Sequence, residues 1–551
     1  MRKKALGAVL FIAVGSVILS FIPAGNYFEI AKNLDIFATL FKEVNTYYVD
    51  EVDPETLINT GIDAMLSSLD PYTNYIPEED AAEYRTMTTG EYAGIGSLIG
   101  KVNDKNVITM PNKGFPAEKA GLKIGDELIE VDGINVEKKT ISEISKLLKG
   151  RANTDVTVKV KRYGLEDPID FTITRGRIII DNVPYYGMVA DHTGYIRLSD
   201  FTTNATKEVK TALQDLKSQG ANKVILDLRG NPGGLLYEAV NICNIFLSKG
   251  LEIVRTKGKV ADWNKTYRTL NNPFDESIPL VVLTNNASAS ASEIVAGVIQ
   301  DYDRGIIVGR KTYGKGLVQT TRPLTYNSQL KVTTAKYYTP SGRCIQKLDY
   351  SHRQADGSVD SIPDSLKVAF LTSHGRTVYD GGGVLPDIET ESEYLVPITI
   401  SLIQKALLFD YATSYFYENP APENARNFAL SDIEYDEFLN WLGKKDYDYK
   451  TNVEESIERL VENAKKENYY SEIEAQIRNL ESKVKHNKES DLITFKEQIK
   501  SILEENIVSR YFLISGEIEA SLDDDTDLQT AIKVLNDSNR YHKILNTESD
   551  Y

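Results

Sequence analysis

The sequence predicts a multidomain protein of α+β and α/β character: an N-terminal helical segment, a small β-sandwich, an α/β core and a C-terminal helical domain. Three observations predict it. At 551 residues the chain exceeds one ordinary core, since domains run to about 100–200 residues each. Its apolar share of 41% and charged share of 26% are those of a folded protein. The hydrophobic period also changes along the chain, from helical spacing to short β runs, then to β runs alternating with helices, then to charged amphipathic helices.

The start, MRKKALGAVLFIAVGSVILSFIPAGN, sets Arg2, Lys3 and Lys4 before an apolar run from Ala5 to Ile22, the order of an export signal. The run is long for a signal peptide and just long enough to span a bilayer, and PAGN is a poor cleavage site. A cleaved signal peptide and a retained membrane anchor therefore both stand for residues 1–25. Either sends the remainder out of the cytoplasm, to the cell envelope or periplasm. In residues 26–90, Leu34, Phe37, Leu40, Phe41 and Val44, then Leu57, Ile58, Met65, Leu66 and Leu69, recur at helical spacing. LDPYTNYIP breaks that helical region with Asp70-Pro71 and Pro77.

Residues 91–176 change to β-rich runs such as NVITM and VTVKVKR around FPAEKAGLKIGDELIEVDGINV. Ala117 to Ala120 suits one helical turn ended by Gly121, and Gly125-Asp126 and Asp132-Gly133 are tight-turn pairs on either side of the strand ELIEV. TISEISKLLKG reads as a capped helix with Ile141, Ile144, Leu147 and Leu148 on one face and Gly150 as its stop. The segment resembles a PDZ domain, a peptide-binding module, most closely in GLKIGDELIEVDGINV. PDZ domains add a chain end to a sheet edge and hold its carboxylate on backbone N–H groups of a glycine-containing loop. The matching loop is AGIGSLIG, with Gly94, Ile95 and Gly96 as the implied peptide-binding residues.

Residues 177–393 alternate strands, TGYIRLSDF, NKVILDLRG, IPLVVLTN and RGIIVGRK, with helices, TKEVKTALQDLKSQG, LLYEAVNICNIFL and SASEIVAGVIQDY. VILDL and LVVL are continuous apolar runs, which suits strands buried on both faces. Residues 394–551 carry amphipathic stripes, Val453, Ile457, Leu460, Val461 and Ala464, then Ile473, Ile477, Leu480 and Val484, then Phe495, Ile499, Ile502 and Leu503. They read most simply as intrachain packing faces, with a homodimer or an adaptor as the alternative use.

Lys plus Arg number 63 against 80 Asp plus Glu, a formal net charge of −17 that disfavours a nucleic-acid partner. Cys243 and Cys344 form no CxxC pair, so neither a disulfide framework nor a thiolate metal site is indicated. No metal and no cofactor is expected.

The stretch TNNASASASEIVAG holds three alternating serines, Ser288, Ser290 and Ser292. Histidine-based serine chemistry is excluded first: there is no GNSGG-type loop and no GxSxG elbow, and the five histidines lie outside any such motif. A neutral lysine can replace histidine as base if burial lowers its pKa. KTYGKGLVQ offers Lys315 between Gly314 and Gly316, and Gln319 four residues on, a neutral partner on the same face if the segment is helical or extended with a bulge.

The ordered set LDLRGNPGG, NNASASASEIVAG, GRKTYGKGLVQ, YYTPSGRCIQ and GVLPDI, downstream of the PDZ-like segment, resembles the carboxyl-terminal processing peptidases, also called tail-specific proteases, over roughly residues 30 to 390. The resemblance implies a crotonase-like α/β core and endoproteolysis near the C-terminus of a protein through an acyl-enzyme. It implies Ser290 as nucleophile, Lys315 as general base and Gln319 as the residue that positions the lysine. An oxyanion needs backbone donors: Ala291 follows the nucleophile, and GNPGG supplies Gly233 or Gly234. The implied partners are protein or peptide substrates with free C-termini. Two other classes remain as alternatives: a catalytically silent PDZ scaffold, disfavoured by intact Ser290, Lys315 and Gln319, and a non-proteolytic crotonase-like enzyme, disfavoured by the lack of a coenzyme signature and by the export-type start.

Overall fold

The computed structural model describes residues 25–354, 357–391, 394–484 and 488–545. The charged and apolar start read as a signal peptide or anchor lies outside the described residues. Among the described residues no helix is long and apolar enough to cross a membrane. The chain divides into two compact units, Met1–Tyr75 and Ile76–Tyr551.

The first unit contains helices α1 (Gly25–Tyr47) and α2 (Pro54–Ser67). Asp53 caps α2 by accepting the N–H groups of Glu55 and Thr56 at 3.4 and 3.1 Å, and Pro54 occupies a first-turn position that needs no donor. The turn at LDPYT is closed by Asp70, whose carboxylate accepts from the N–H groups of Tyr72 and Thr73 at 2.8 and 2.9 Å.

The second unit opens with α3 (Ala81–Thr89), ended by Gly90 in the left-handed region at φ 70°. The PDZ-like segment follows: β1 (Glu91–Gly94), β2 (Ser97–Val102), β3 (Lys105–Pro111), α4 (Pro116–Ala120), β4 (Glu127–Val131), α5 (Ile141–Leu148), β5 (Asp155–Lys161), β6 (Ile169–Thr174) and β7 (Gly176–Ile179). Its sheet runs β2-β3-β4-β5-β6, so β2 is an edge strand. β1 and β7 pair antiparallel, joining the two ends of the domain at its neck. Ile95, Ile108, Leu128, Ile144, Val156 and Val158 fill the core. The helix α5 has the Thr140–Glu143 capping box, but Gly150 does not stop it. The C-cap is Lys149 in extended conformation. Gly150 is needed for space, since a Cβ there would lie 2.9 Å from Nε of Arg175.

The α/β core comprises β8 (Tyr185–Ala190), β9 (Thr193–Arg197), α6 (Ala205–Ser218), β10 (Lys223–Asp227), α7 (Leu236–Phe246), β11 (Glu252–Gly258), β12 (Thr266–Arg268), β13 (Leu280–Thr284), α8 (Ala291–Asp301), β14 (Ile306–Gly309), β15 (Leu317–Pro323), β16 (Gln329–Tyr338) and β17 (Ile388–Glu389). The main sheet runs β8-β9-β10-β13-β14-β17, antiparallel at β8/β9 and parallel from β9 onward. Successive side chains point to opposite faces. Ile196, Leu226, Val282 and Ile307 meet α6, α7 and α8 on one face. Tyr195, Ile225, Val281, Leu283, Ile306 and Val308 form the other. That double burial is why these strands read as unbroken apolar runs. A second sheet pairs β15 with β16, β16 with β11 and β11 with β12.

The C-terminal region contains α9 (Pro397–Gln404), α10 (Leu407–Glu418), α11 (Asp432–Leu442), α12 (Asn452–Lys466), α13 (Tyr470–Val484), α14 (Lys496–Ser521), α15 (Thr526–Asn536) and α16 (Ser538–Ile544). Leu402, Tyr411, Phe438, Leu442, Ile499, Leu503 and Ile507 give it a core of its own. Ile457, Ala464 and Ile477 from the stripes on α12 and α13 are buried within the chain. Those stripes are therefore spent on intrachain packing only in part, since Val453, Leu460 and Leu480 on the same two helices are exposed. The chain then returns to the α/β core: Leu522, Leu528, Ala531, Val534, Leu535, Tyr541 and Leu545 cover the second face of the main sheet. The last two helices are a layer of the core, not an appendage.

Candidate active site

Strand β13 ends at Thr284 and helix α8 begins at Ala291; the loop between them carries the serines. Ser288 and Ser292 are fully buried. Ser288 donates to the Leu228 carbonyl at 2.8 Å, and Ser292 donates to the Asn231 carbonyl at 3.0 Å. Ser292, on the first turn of α8, thereby ties the helix to the GNPGG turn, and Ser288 ties the serine loop to the residue two positions before that turn. Ser290 is half-buried and stands at the N-cap of α8, with φ 55° and ψ −109°. A non-glycine residue holds such angles only when its surroundings over-determine them, at a cost of about 1–3 kcal/mol. Three contacts do so.

The first is Gly233. A Cβ at this position would lie 2.7 Å from the Ala289 carbonyl oxygen, 2.8 Å from the Ala291 nitrogen and 2.9 Å from Ser290 Cβ. Its φ of 99° also suits glycine alone. The turn is held by fully buried Asn231, which donates to the Leu198 carbonyl at 2.8 Å, accepts from Gly233 N–H at 2.9 Å and accepts Ala289 N–H at 3.0 Å on its own carbonyl. Gly233 N–H is thus committed. Among the described residues, neither Gly234 N–H nor Ala291 N–H donates to a protein acceptor.

The second contact is Glu293, fully buried on the first turn of α8. One oxygen accepts Ser290 N–H at 2.8 Å and Lys315 N–H at 2.9 Å; the other accepts Gly314 N–H at 2.7 Å and the Thr312 hydroxyl at 2.6 Å. Burial pushes the carboxyl above its ordinary pKa, and these donors pull it back. The N–H groups of Ser290 and Lys315 therefore converge on a single oxygen atom. Lys315 itself is half-buried. Its flanking glycines allow close approach: a Cβ on Gly314 would lie 2.5 Å from Lys347 Cβ, and one on Gly316 would lie 2.8 Å from the Gln346 nitrogen.

The third contact is Tyr337, fully buried at the end of β16, whose hydroxyl donates to the Ser290 carbonyl at 3.2 Å. Its backbone N–H donates to the Gly316 carbonyl at 3.0 Å. Gln319 lies on β15, where the register with β16 slips between Val318 and Gln319, the bulge that the extended alternative required. Its amide nitrogen donates to Thr333 Oγ1 at 3.1 Å.

The structure thus brings together Ser290, Ala291, Gly233 and the backbone of Lys315. Gly94, Ile95 and Gly96 are in the PDZ domain. Ile95 is only 3% exposed and part of that domain's core, its carbonyl accepting Ala117 N–H at 2.8 Å, and Gly96 has φ 72° with its carbonyl accepting Asn112 N–H at 3.0 Å. Sequence reasoning gave no role to Asn231, Glu293, Thr312 or Tyr337. Ser290-x-x-Glu293 carries the capping-box spacing, a signal that could have singled out the glutamate.

Residues 192–351 match the family described as Peptidase family S41, residues 107–162 match a PDZ domain, and residues 398–535 match a family described as "Probable PDZ-protease, C-terminal helical domain". A carboxy-terminal-processing protease of Bartonella bacilliformis is 39% identical over 345 residues, 62% of this chain and 79% of that one. A probable CtpA-like serine protease of Staphylococcus aureus is 37% identical over 57% of this chain and 63% of that protein. Among solved structures, a photosystem II D1 C-terminal processing protease is 28% identical, covering 65% of this chain and 93% of that one, with a TM-score of 0.35. With the strained serine and its glycine turn inside the S41 match, and with 39% identity across most of a curated relative, the chain is a serine-type peptidase and belongs to the carboxy-terminal-processing proteases of family S41.

Proposed function

We propose that the chain is an endopeptidase that takes the free C-terminal end of a protein in its PDZ domain and cuts near that end through an acyl-enzyme on Ser290. In this reading neutral Lys315 accepts the Ser290 Oγ proton as Oγ bonds to the scissile carbonyl carbon. The resulting oxyanion is held by Ala291 N–H and Gly234 N–H, with Gly233 giving the space. Collapse expels the C-terminal fragment, whose amine leaves with the proton carried by Lys315. Water then attacks the ester, giving a proton to Lys315; the N-terminal fragment departs as an acid and Ser290 recovers its hydrogen. Gln319, its amide nitrogen committed to Thr333, presents Oε1 as a neutral acceptor for the lysine amine.

The observation that carries the reading is the convergence of the Ser290 and Lys315 N–H groups on one oxygen of Glu293. Tail capture is supported by the position of Gly94, Ile95 and Gly96 directly before β2, the edge strand that a peptide could extend. The export-type start supports a place of work in the cell envelope.

One experiment tests both halves: an unstructured tailed substrate, with its C-terminus as free acid or as amide, is incubated with wild type, Ser290→Ala and Lys315→Ala. Both variants should lose activity by about a thousandfold or more while melting normally. The amide should be cut about tenfold more slowly by wild type. Full activity in Ser290→Ala would reject the nucleophile, an unchanged rate in Lys315→Ala the base, and equal cutting of acid and amide the tail reading.

A further inference from the structure

Ser290 has a peptide group on each side, and the two are held by different residues. The group before it, which carries Ser290 N–H, is held by Glu293. The group after it carries the Ser290 carbonyl and the Ala291 N–H. In a planar trans peptide these two bonds point in opposite directions, so whatever fixes the carbonyl also fixes where the N–H aims. The Ser290 carbonyl receives Ile294 N–H at 3.0 Å, the first bond of α8, and the Tyr337 hydroxyl at 3.2 Å.

We propose that Tyr337 is a positioning residue: by anchoring the Ser290 carbonyl it sets the direction of the Ala291 N–H, and so builds half of the oxyanion hole. The inference rests on the Ser290 acyl-enzyme reading above. Tyr337 is 1% exposed, and a buried phenol without an acceptor is costly, so its hydroxyl is tied to this carbonyl. Burial, with Glu293 and Cys344 nearby, pushes its pKa far above the ordinary tyrosine value, and the group stays a neutral donor throughout the working range. Its backbone serves the other side of the site. Tyr337 N–H donates to the Gly316 carbonyl at 3.0 Å, one residue beyond Lys315, while β16 pairs with β15 from Leu317 onward. One residue thus links the peptide that would bind the oxyanion to the loop that carries the base.

Removing the hydroxyl alone leaves the Ser290 carbonyl with the Ile294 bond, so Tyr337→Phe should fold and melt close to wild type. It should lower kcat about tenfold to a hundredfold, with KM changed by less than about twofold, because an interaction used only in the transition state is weakened. A peptide aldehyde, which forms a tetrahedral adduct on the serine, should bind more weakly by the same factor as the fall in kcat/KM. An uncut product peptide should bind as before. 4-Aminophenylalanine incorporated at position 337 restores a donor at the same place and should recover most of the lost kcat. Wild-type kcat in Tyr337→Phe would overturn the proposal, as would a fall in kcat with unchanged aldehyde affinity. If the Phe variant fails to fold, 4-aminophenylalanine decides: a folded but inactive protein overturns the proposal, and an active one upholds it. Ser290→Ala assayed in parallel separates the two claims, since activity there rejects the acyl-enzyme reading whatever Tyr337 does.

Discussion

Ser290 differs from its two neighbours in the motif by backbone and surroundings, not by residue type. Ser288 and Ser292 are buried and spend their hydroxyls on carbonyls of the facing turn, whereas Ser290 is half-buried and held at φ 55°. Gly233 packs directly against that backbone. Gly233→Ala would force a Cβ to within 2.7–2.9 Å of three atoms of the serine loop, at a φ of 99° that an L-residue rarely adopts. The variant should lose activity by at least about a hundredfold and about 2–4 kcal/mol of stability, read by peptide cleavage and by denaturant melts; near-wild-type values in both would show that the turn does not abut the serine. The sequence singled out Ser290 and the GNPGG turn because glycine runs and a resemblance mark them. It did not single out Glu293 or Tyr337: both roles depend on partners across the fold, at Gly314 and Lys315 for the one and at the Ser290 carbonyl for the other.

Helix α14 shows what periodicity leaves out at the level of an element. Its apolar stripe at Phe495, Ile499, Ile502 and Leu503 is legible, and Ile499 and Leu503 are fully buried. The break at Leu513, with φ 59° and ψ −153°, has no proline to announce it. Glu505 lies before this break and Glu517 after it. Burial, with Glu517, Asp524 and Glu504 nearby, pushes the Glu505 carboxyl up to about 7 from an ordinary 4.5. A raised carboxyl pKa means that the folded state binds a proton the unfolded chain does not, between about 4.5 and 7. Stability should therefore rise as pH falls through that window, and be lower above it. Glu505→Gln should gain on the order of 2 kcal/mol at pH 8 and flatten the rise, measured by denaturant melts from pH 5 to pH 8; an unchanged pH profile would contradict the assignment. The helix α5 teaches the same lesson at smaller scale, since its start was legible from a capping box while Gly150 proved to be a matter of room for Arg175.

Across the whole molecule, the order of β-sandwich, α/β core and helical C-terminal region was legible because each has its own hydrophobic period. That the final helices close the second face of the main sheet was not, because an amphipathic stripe does not name the surface it covers. A polar anchor accompanies that closure. Arg229, two residues past β10 in the LDLRG run, donates to Asp227 and also to Asp525 and Asp527, the last two at 2.9 Å. Burial alone would raise the Asp227 carboxyl, but Arg229 and Arg197 outweigh it and hold it well below the usual range. The strand that leads into the GNPGG turn is thereby tied to the far end of the chain. On the PDZ side, Tyr163 stacks on Tyr417 with ring centroids 5.8 Å apart and donates to Glu418 at 3.1 Å, so the helical region contacts both the PDZ domain and the core. The proposal that matters most is chemical, that Ser290 carries the acyl group and Lys315 activates the Ser290 hydroxyl. The most direct measurement is mass-spectrometric peptide mapping of the protein quenched in acid during turnover of a slowly hydrolysed peptide ester. The account predicts an acyl adduct on Ser290 that is absent in Ser290→Ala and forms far more slowly in Lys315→Ala; an adduct on any other residue, or undiminished acylation in either variant, would contradict it.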